Sequence, residues 1–129
     1  MRNKNLSGNL FTKQTLTIKE TALSSSIAEW LDVHHIYNDR LNSGKIRSGN
    51  RMIHLCKPGT PDRFAIVEGQ IIFIEVKQKG KTATTEQLKR HEELRNSGAI
   101  VIVADSFEEF GRSLEKRGTV FPSRKKLWQ

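Results

Sequence analysis

Between residues 15 and 33 the apolar positions recur at helical spacing. Leu16, Leu23, Ile27, Trp30 and Leu31 share one face at 3.6 residues per turn, which predicts an amphipathic helix. The pattern then breaks into short runs. His34 to Leu41 and Arg51 to Cys56 read as strands on either side of a turn-rich stretch, Asn42-Ser43-Gly44 to Ser48-Gly49-Asn50. Lys57-Pro58-Gly59-Thr60-Pro61 is a loop by composition, because two prolines and a glycine exclude regular structure. Phe64 to Val67 and Ile71 to Lys77 form a hairpin around Glu68-Gly69. The first half of the second arm is apolar on both faces, the mark of a central strand covered on both sides. Thr84 and Gln87 fit a capping box that opens a helix to Ser97, with Gly98 placed to end it. Gln87 shares the inward face of that helix with Leu88, His91 and Leu94. Ala99 to Ala104 is a second buried strand, and Ser106 with Glu109 caps a last helix to Arg117.

The order of elements is a helix, a run of strands, a helix, a strand and a helix. The strand–helix–strand unit from Ile71 to Ala104 needs a crossover and hence a parallel pair. The fold class is a small α/β sandwich. At 129 residues the chain has the length of one domain. A polar arm is expected over residues 1–14, the domain over 15–117 and a basic tail carrying Lys125 and Lys126 over 118–129.

Composition narrows the classes. The single cysteine, Cys56, excludes an internal disulfide framework and a cysteine-based zinc site, and a buried core thiol is expected there. No apolar run approaches the roughly 18 residues of a membrane span. Met1 to Leu10 has no hydrophobic stretch of the secretory kind, so a cytoplasmic protein without a membrane partner is expected. The glycines form no phosphate-binding loop, which argues against a nucleotide cofactor. Twenty-two Lys and Arg against fourteen acids give a net charge of +8. That balance suits a polyanion, of which nucleic acid is the commonest.

The chemistry gathers around two acids and a lysine. If Glu68-Gly69 is a two-residue hairpin loop, Val67 faces Gln70, Ala65 faces Ile72 and Asp62 faces Glu75. Opposed carboxylates repel unless a cation lies between them or one of them holds a proton. Lys77 points to the same face as Glu75, since strand side chains alternate. Glu20 falls in the middle of the apolar stripe of the first helix, where an isolated charge is costly, although the helix dipole also favours an acid near a helix start. Hard oxygen ligands from Asp62 and Glu75 suit Mg²⁺ or Mn²⁺. Such a site serves phosphodiester hydrolysis: the metal activates water and neutralises phosphate charge, and Lys77 stabilises that charge or positions the nucleophile. Lys57, Lys79 and Lys81 flank the site and are candidates to hold phosphates.

Gly59-Thr60-Pro61-Asp62, followed after twelve residues by Glu75-Val76-Lys77, resembles the PD-(D/E)XK nuclease motif. With Glu20, Arg40-Leu41-Asn42-Ser43-Gly44, Gly80 and Gln87, the chain resembles the virus-type replication-repair nuclease (VRR-NUC) family over residues 18–110. The resemblance implies a restriction-endonuclease-like core of order α-β-β-β-α-β-α, a mixed central sheet flanked by helices. It implies a Mg²⁺- or Mn²⁺-dependent DNA endonuclease of phage type, similar to Holliday-junction resolvases, that works as a homodimer on branched DNA. Asp62, Glu75 and the Val76 carbonyl would then hold the metal, with Glu20 completing the acidic site. Lys77 would serve the attacking water, Gln87 would help orient it, and Arg40 and Asn42 would join the lysines in binding DNA. The alternative from another class is a DNA-binding module that keeps the fold without turnover.

Overall fold

The computed structural model describes residues 4–42 and 44–116. Its first element, α1 (Lys4–Val33), is one long helix. The polar run before residue 15 thus continues the helix instead of forming the irregular arm its composition predicts. No proline precedes Pro58. Once a helix is nucleated, each further residue adds a backbone hydrogen bond whether or not it carries an apolar period. The apolar stripe behaves as expected: Ile27 and Leu31 are fully buried, and Leu23 and Trp30 pack against the core. α1 ends where His35 takes φ 56°, a left-handed cap more often given to glycine. The Leu16 side chain, Ser43 and the basic tail 118–129 lie outside the described residues.

The strands are β1 (Asn38–Arg40), β2 (Lys45–Ser48), β3 (Arg51–His54), β4 (Arg63–Val67), β5 (Gln70–Val76) and β6 (Ile100–Ala104), with α2 (Thr85–Asn96) and α3 (Phe107–Lys116) on either side of β6. The central sheet has the order β1-β4-β5-β6. Its first two pairings are antiparallel and β5–β6 is parallel. This is the mixed sheet flanked by helices that the element order predicts. β2 and β3 pair only with each other, as a separate exposed hairpin. Lys45–Ser48 is therefore a strand where turn composition predicts a loop, and the expected strand at His34–Leu41 shrinks to three residues. Cross-strand pairing of Ile46 with Ile53 and of Arg47 with Met52 supplies what local propensity does not.

Side chains at alternate positions divide the sheet faces. Ala65, Val67, Ile72, Ile74, Val76, Ile100, Ile102 and Ala104 pack against Ile27 and Leu31 of α1 and Phe110 and Leu114 of α3, forming the core. The opposite face is covered by α2 only near β6. The opposed pair Ile66 and Ile71 is consequently exposed, so the central strand is enclosed on both sides only in its second half. α2 turns a narrow stripe inward through His91, while Leu88, expected to face in, is 56% exposed. Cys56 is half-buried rather than a core thiol.

Candidate active site

The hairpin between β4 and β5 has the predicted register. Val67 pairs with Gln70 and Ala65 with Ile72, and the turn uses positive φ at Glu68 (52°) and Gly69 (80°). That turn geometry matches the strand twist. The register carries Asp62, one residue before β4, to the level of Glu75.

The loop ahead of Asp62 is locked onto α2. Gly59 has φ +83°, and a Cβ there would lie 2.5 Å from the Glu86 carbonyl oxygen, so only glycine fits at this crossing. Arg90 Nε donates to the Pro58 carbonyl at 2.9 Å, and the Leu41 amide donates to the Asp62 carbonyl at 2.7 Å. Asp62 is pinned from both sides.

At the end of β5 three successive amides find three different acceptors. The Val76 N–H donates to Asp62 Oδ2 at 3.4 Å, the Lys77 N–H to the Ala104 carbonyl at 2.9 Å, and the Gln78 N–H to Glu20 Oε1 at 3.0 Å. The strand terminus thereby draws Asp62 from the sheet and Glu20 from α1 to one place. Glu20 in the apolar stripe is explained by this bond.

Glu75 is 3% exposed on the α2 face. Burial pushes its carboxyl up to about 9, helped by a hydrogen bond with Asp62 and by the charges of Asp62 and Glu20, against the opposing pull of Lys77. Its Oε1 has no hydrogen-bond partner and lies 3.6 Å from Nε2 of His91, which is likewise buried and unpartnered. Burial, with the charges of Arg95 and Lys77, lowers the His91 pKa and favours the neutral ring.

Two polar clefts share Asp62 in their lining. The larger, about 600 Å³, is lined by Glu20, Arg40, Asn42, Arg63 and Val76, with Thr21, Ser24 and Ser25 on the α1 side. The other, about 520 Å³, runs between Lys45 and His54 of the exposed hairpin and, at the start of α2, its N-cap Thr84 and Gln87. Gln87 is engaged in the capping box: its Oε1 accepts the Thr84 N–H at 2.9 Å while Thr84 Oγ1 accepts the Gln87 N–H. Of the residues singled out from sequence, Glu20, Asp62, Val76, Arg40 and Asn42 meet in the larger cleft. Glu75 and Lys77 line neither cleft, Glu75 lying buried within reach of the charges of Asp62 and Lys77. Lys57, Lys79 and Lys81 line neither cleft and remain on the exposed surface.

Three contributors escaped sequence reasoning. His91 was legible as an inward residue of α2, but its target was not. Arg63 enters the cleft only once the β1–β4 pairing is known. The hydroxyls at positions 21, 24 and 25 do carry a signal, helical i, i+3, i+4 spacing on the face beside Glu20.

Among the described residues no three His, Cys, Asp or Glu side chains gather tightly enough for a closed all-protein metal site. Mg²⁺ does not need one, since it is commonly held by one or two carboxylates and keeps several waters. The Asp62–Glu75 pair fits that donor chemistry. Its buried, unpartnered Oε1 and its raised pKa are what a cation would relieve.

The fold and site thus define an α/β protein with a carboxylate pair, Glu75 buried and Asp62 half-buried, at the end of its central strand beside two polar clefts. No protein-family model matches the chain, and no solved structure matches it. Over 49 residues, 37% of this chain, it is 47% identical to a curated protein of Acyrthosiphon pisum secondary endosymbiont phage 1, named "Putative nuclease p44". The match spans about half of that relative's length, 53%. Among the described residues no helix is long and apolar enough to cross a membrane.

Proposed function

We propose that this chain is a metal-dependent nuclease of the VRR-NUC type that hydrolyses DNA phosphodiester bonds. The observation that carries the reading is the Asp62–Glu75 pair: two acids held together at the end of a buried strand, the Glu75 carboxyl pushed up by burial and by its neighbour Asp62, beside a cleft whose lining includes Arg40 and Arg63. A nuclease-named phage relative supports the same reading.

Asp62, Glu75 and the Val76 carbonyl would hold Mg²⁺ or Mn²⁺, with Glu20 closing the acidic side. When bound, the metal would polarise the phosphoryl oxygen and make water a stronger nucleophile at neutral pH. The protein's own part is positional and electrostatic. Asp62 is fixed by the Gly59 crossing and the Leu41 amide, and Glu20 by the Gln78 amide. Lys77, whose charge acts on Glu75, balances charge that builds on the phosphate during attack. Gln87 borders the second cleft beside Asp62, where a nucleic-acid strand would leave the site. The exposed pair Ile66 and Ile71 gives an apolar strip on which two copies would meet as a homodimer, and a two-fold arrangement suits symmetric cutting of branched DNA.

The test is cleavage of labelled four-way junction, flap, single-stranded and linear duplex DNA by wild type and Glu75→Ala, in Mg²⁺, Mn²⁺ or EDTA. Metal-dependent cutting by wild type alone supports the nuclease. Binding without cutting on every substrate and in both metals overturns it in favour of a silent DNA-binding module.

A further inference from the structure

The β1–β4 register sets Arg40 directly opposite Arg63. Like charges directly opposed across strands are destabilising unless something between them compensates. Both arginines line the larger cleft together with Asp62 and Glu20.

Arg63 is 8% exposed, an unusual position for a guanidinium. Its Nη1 donates to Asn38 Oδ1 at 2.8 Å, while its Nε is buried with no acceptor. Asn38 is itself held by Asp32, to whose Oδ1 its Nδ2 donates at 2.8 Å. Burial lowers the Arg63 pKa, and the charge of Arg40 adds to that effect. Asp39, Asp32 and Asp62 pull the other way. These acids have other engagements. Asp32 receives Asn38, Asp39 receives the Arg40 backbone amide, and Asp62 receives the Val76 amide. Among the described residues neither arginine is ion-paired with a carboxylate. A half-satisfied buried guanidinium facing a second one is an arrangement that lacks an anion.

We propose that Arg40 and Arg63 form a clamp that grips one phosphate of the substrate backbone next to the scissile one. Planar guanidinium groups bind phosphate oxygens bidentately, which makes arginine suited to this task. Thr21, Ser24, Ser25 and Asn42 line the same cleft and supply neutral donors around the anion. The Asn38–Asp32 pair buttresses Arg63 from behind, so the clamp is preorganised. It also answers an electrostatic problem of the acidic site, because a polyanion approaching Glu20, Asp62 and Glu75 needs cations fixed on the facing wall. This inference rests on the proposed nuclease reading and names the part of the site that takes the strand.

The test is fluorescence-anisotropy binding of a labelled single-stranded and a labelled duplex oligonucleotide in EDTA over a range of salt concentrations. Wild type is compared with Arg40→Gln, Arg63→Lys and the double variant. Arg63→Lys keeps the buried charge and removes the fork, and Arg40→Gln alters an exposed residue, so unfolding of one variant leaves the other as a test. Each single variant is expected to weaken binding about tenfold. Arg40→Gln, which removes a charge, should also lower the salt slope by about one, whereas Arg63→Lys, which keeps the charge, should leave the slope near wild type. The double variant is expected to lose little more than either single one, because both arginines serve one phosphate. Unchanged affinity and slope in both single variants overturn the clamp, and so do fully additive losses. Binding in EDTA is independent of turnover. Weakened binding by a protein that cuts no DNA would sustain the clamp and sink the nuclease reading. Intact cutting with unaltered binding would sink the clamp alone.

Discussion

Glu75 Oε1 and His91 Nε2 face each other 3.6 Å apart, both buried and neither with a hydrogen-bond partner. A protonated Glu75 can donate to a neutral ring nitrogen, and an ionised Glu75 can accept from a ring N–H, so His91 is a matching partner for the carboxyl in either state. When a metal holds Glu75 ionised, the ring would serve it as a donor, and outer partners of this kind tune metal affinity by about 10–100-fold. His91→Leu, close in volume, is expected to weaken Mg²⁺ or Mn²⁺ binding within that range, while DNA binding in EDTA stays unchanged. His91→Gln, which restores an N–H donor, is expected to recover part of the loss. Isothermal titration with Mn²⁺ reads both, and equal metal affinity in all three proteins would remove His91 from the site.

The same pair makes stability depend on pH in the metal-free protein. Glu75 is raised from an ordinary 4.5 to about 9, so between those values the folded state holds a proton that the unfolded state has released. Stability then falls as pH rises through this window. His91, lowered from 6.5, acts in the opposite sense: the unfolded ring gains a proton on acidification that the folded ring refuses. The two effects oppose each other below about 6.5, and Glu75 acts alone above it. Thermal melts in EDTA should show Tm falling from pH 7 to 9 in wild type and a flatter profile in Glu75→Gln. Parallel profiles would overturn the assignment.

Gly59 was legible as loop glycine, but the reason for it was not. The residue sits where the loop crosses the backbone of α2, and a Cβ would meet the Glu86 carbonyl carbon at 2.8 Å as well as its oxygen. Neither partner is the movable end of a side chain. Gly59→Ala is expected to cost about 2–5 kcal/mol from positive-φ strain and overpacking together. The displaced loop would carry Asp62 away from Glu75. Chemical denaturation measures the stability, and the raised Glu75 pKa should relax when its carbonyl carbon is followed by NMR.

How much of this could be read from the chain alone follows from where the forces act. The Glu68-Gly69 turn is local chemistry, and it fixed the register that brings Asp62 to Glu75. The capping box at Thr84 and Gln87 is equally local. The α1 stripe of Ile27 and Leu31 was visible through periodicity. What stayed hidden depends on partners distant in sequence. Lys45–Ser48 becomes a strand only by pairing with Arg51–His54, and Arg63 meets Arg40 only through a three-residue strand. The start of α1 was missed for a different reason, since a polar helical run gives no period to detect. Leu88 was assigned inward with His91 and Leu94 as one helix face, but it is 56% exposed, because α2 covers only the β6 side.

Gln87 joins two roles that a single substitution can separate. Its carboxamide oxygen accepts the Thr84 amide in the capping box, and the same side chain borders the cleft beside Asp62. A capping box accepts glutamate as readily as glutamine at this position, because either supplies the acceptor oxygen. Gln87→Glu is therefore expected to keep stability within about 0.5 kcal/mol of wild type. The added negative charge beside Asp62 would repel the phosphate backbone, so cleavage of the preferred DNA substrate should slow and KM should rise. Thr84→Ala does the reverse: it removes the cap, costs about 0.5–2 kcal/mol, and leaves the cleft's charge intact. Melting curves beside steady-state cleavage separate the two outcomes. If Gln87→Glu cuts as wild type does, Gln87 serves the helix terminus alone and has no part in binding the strand.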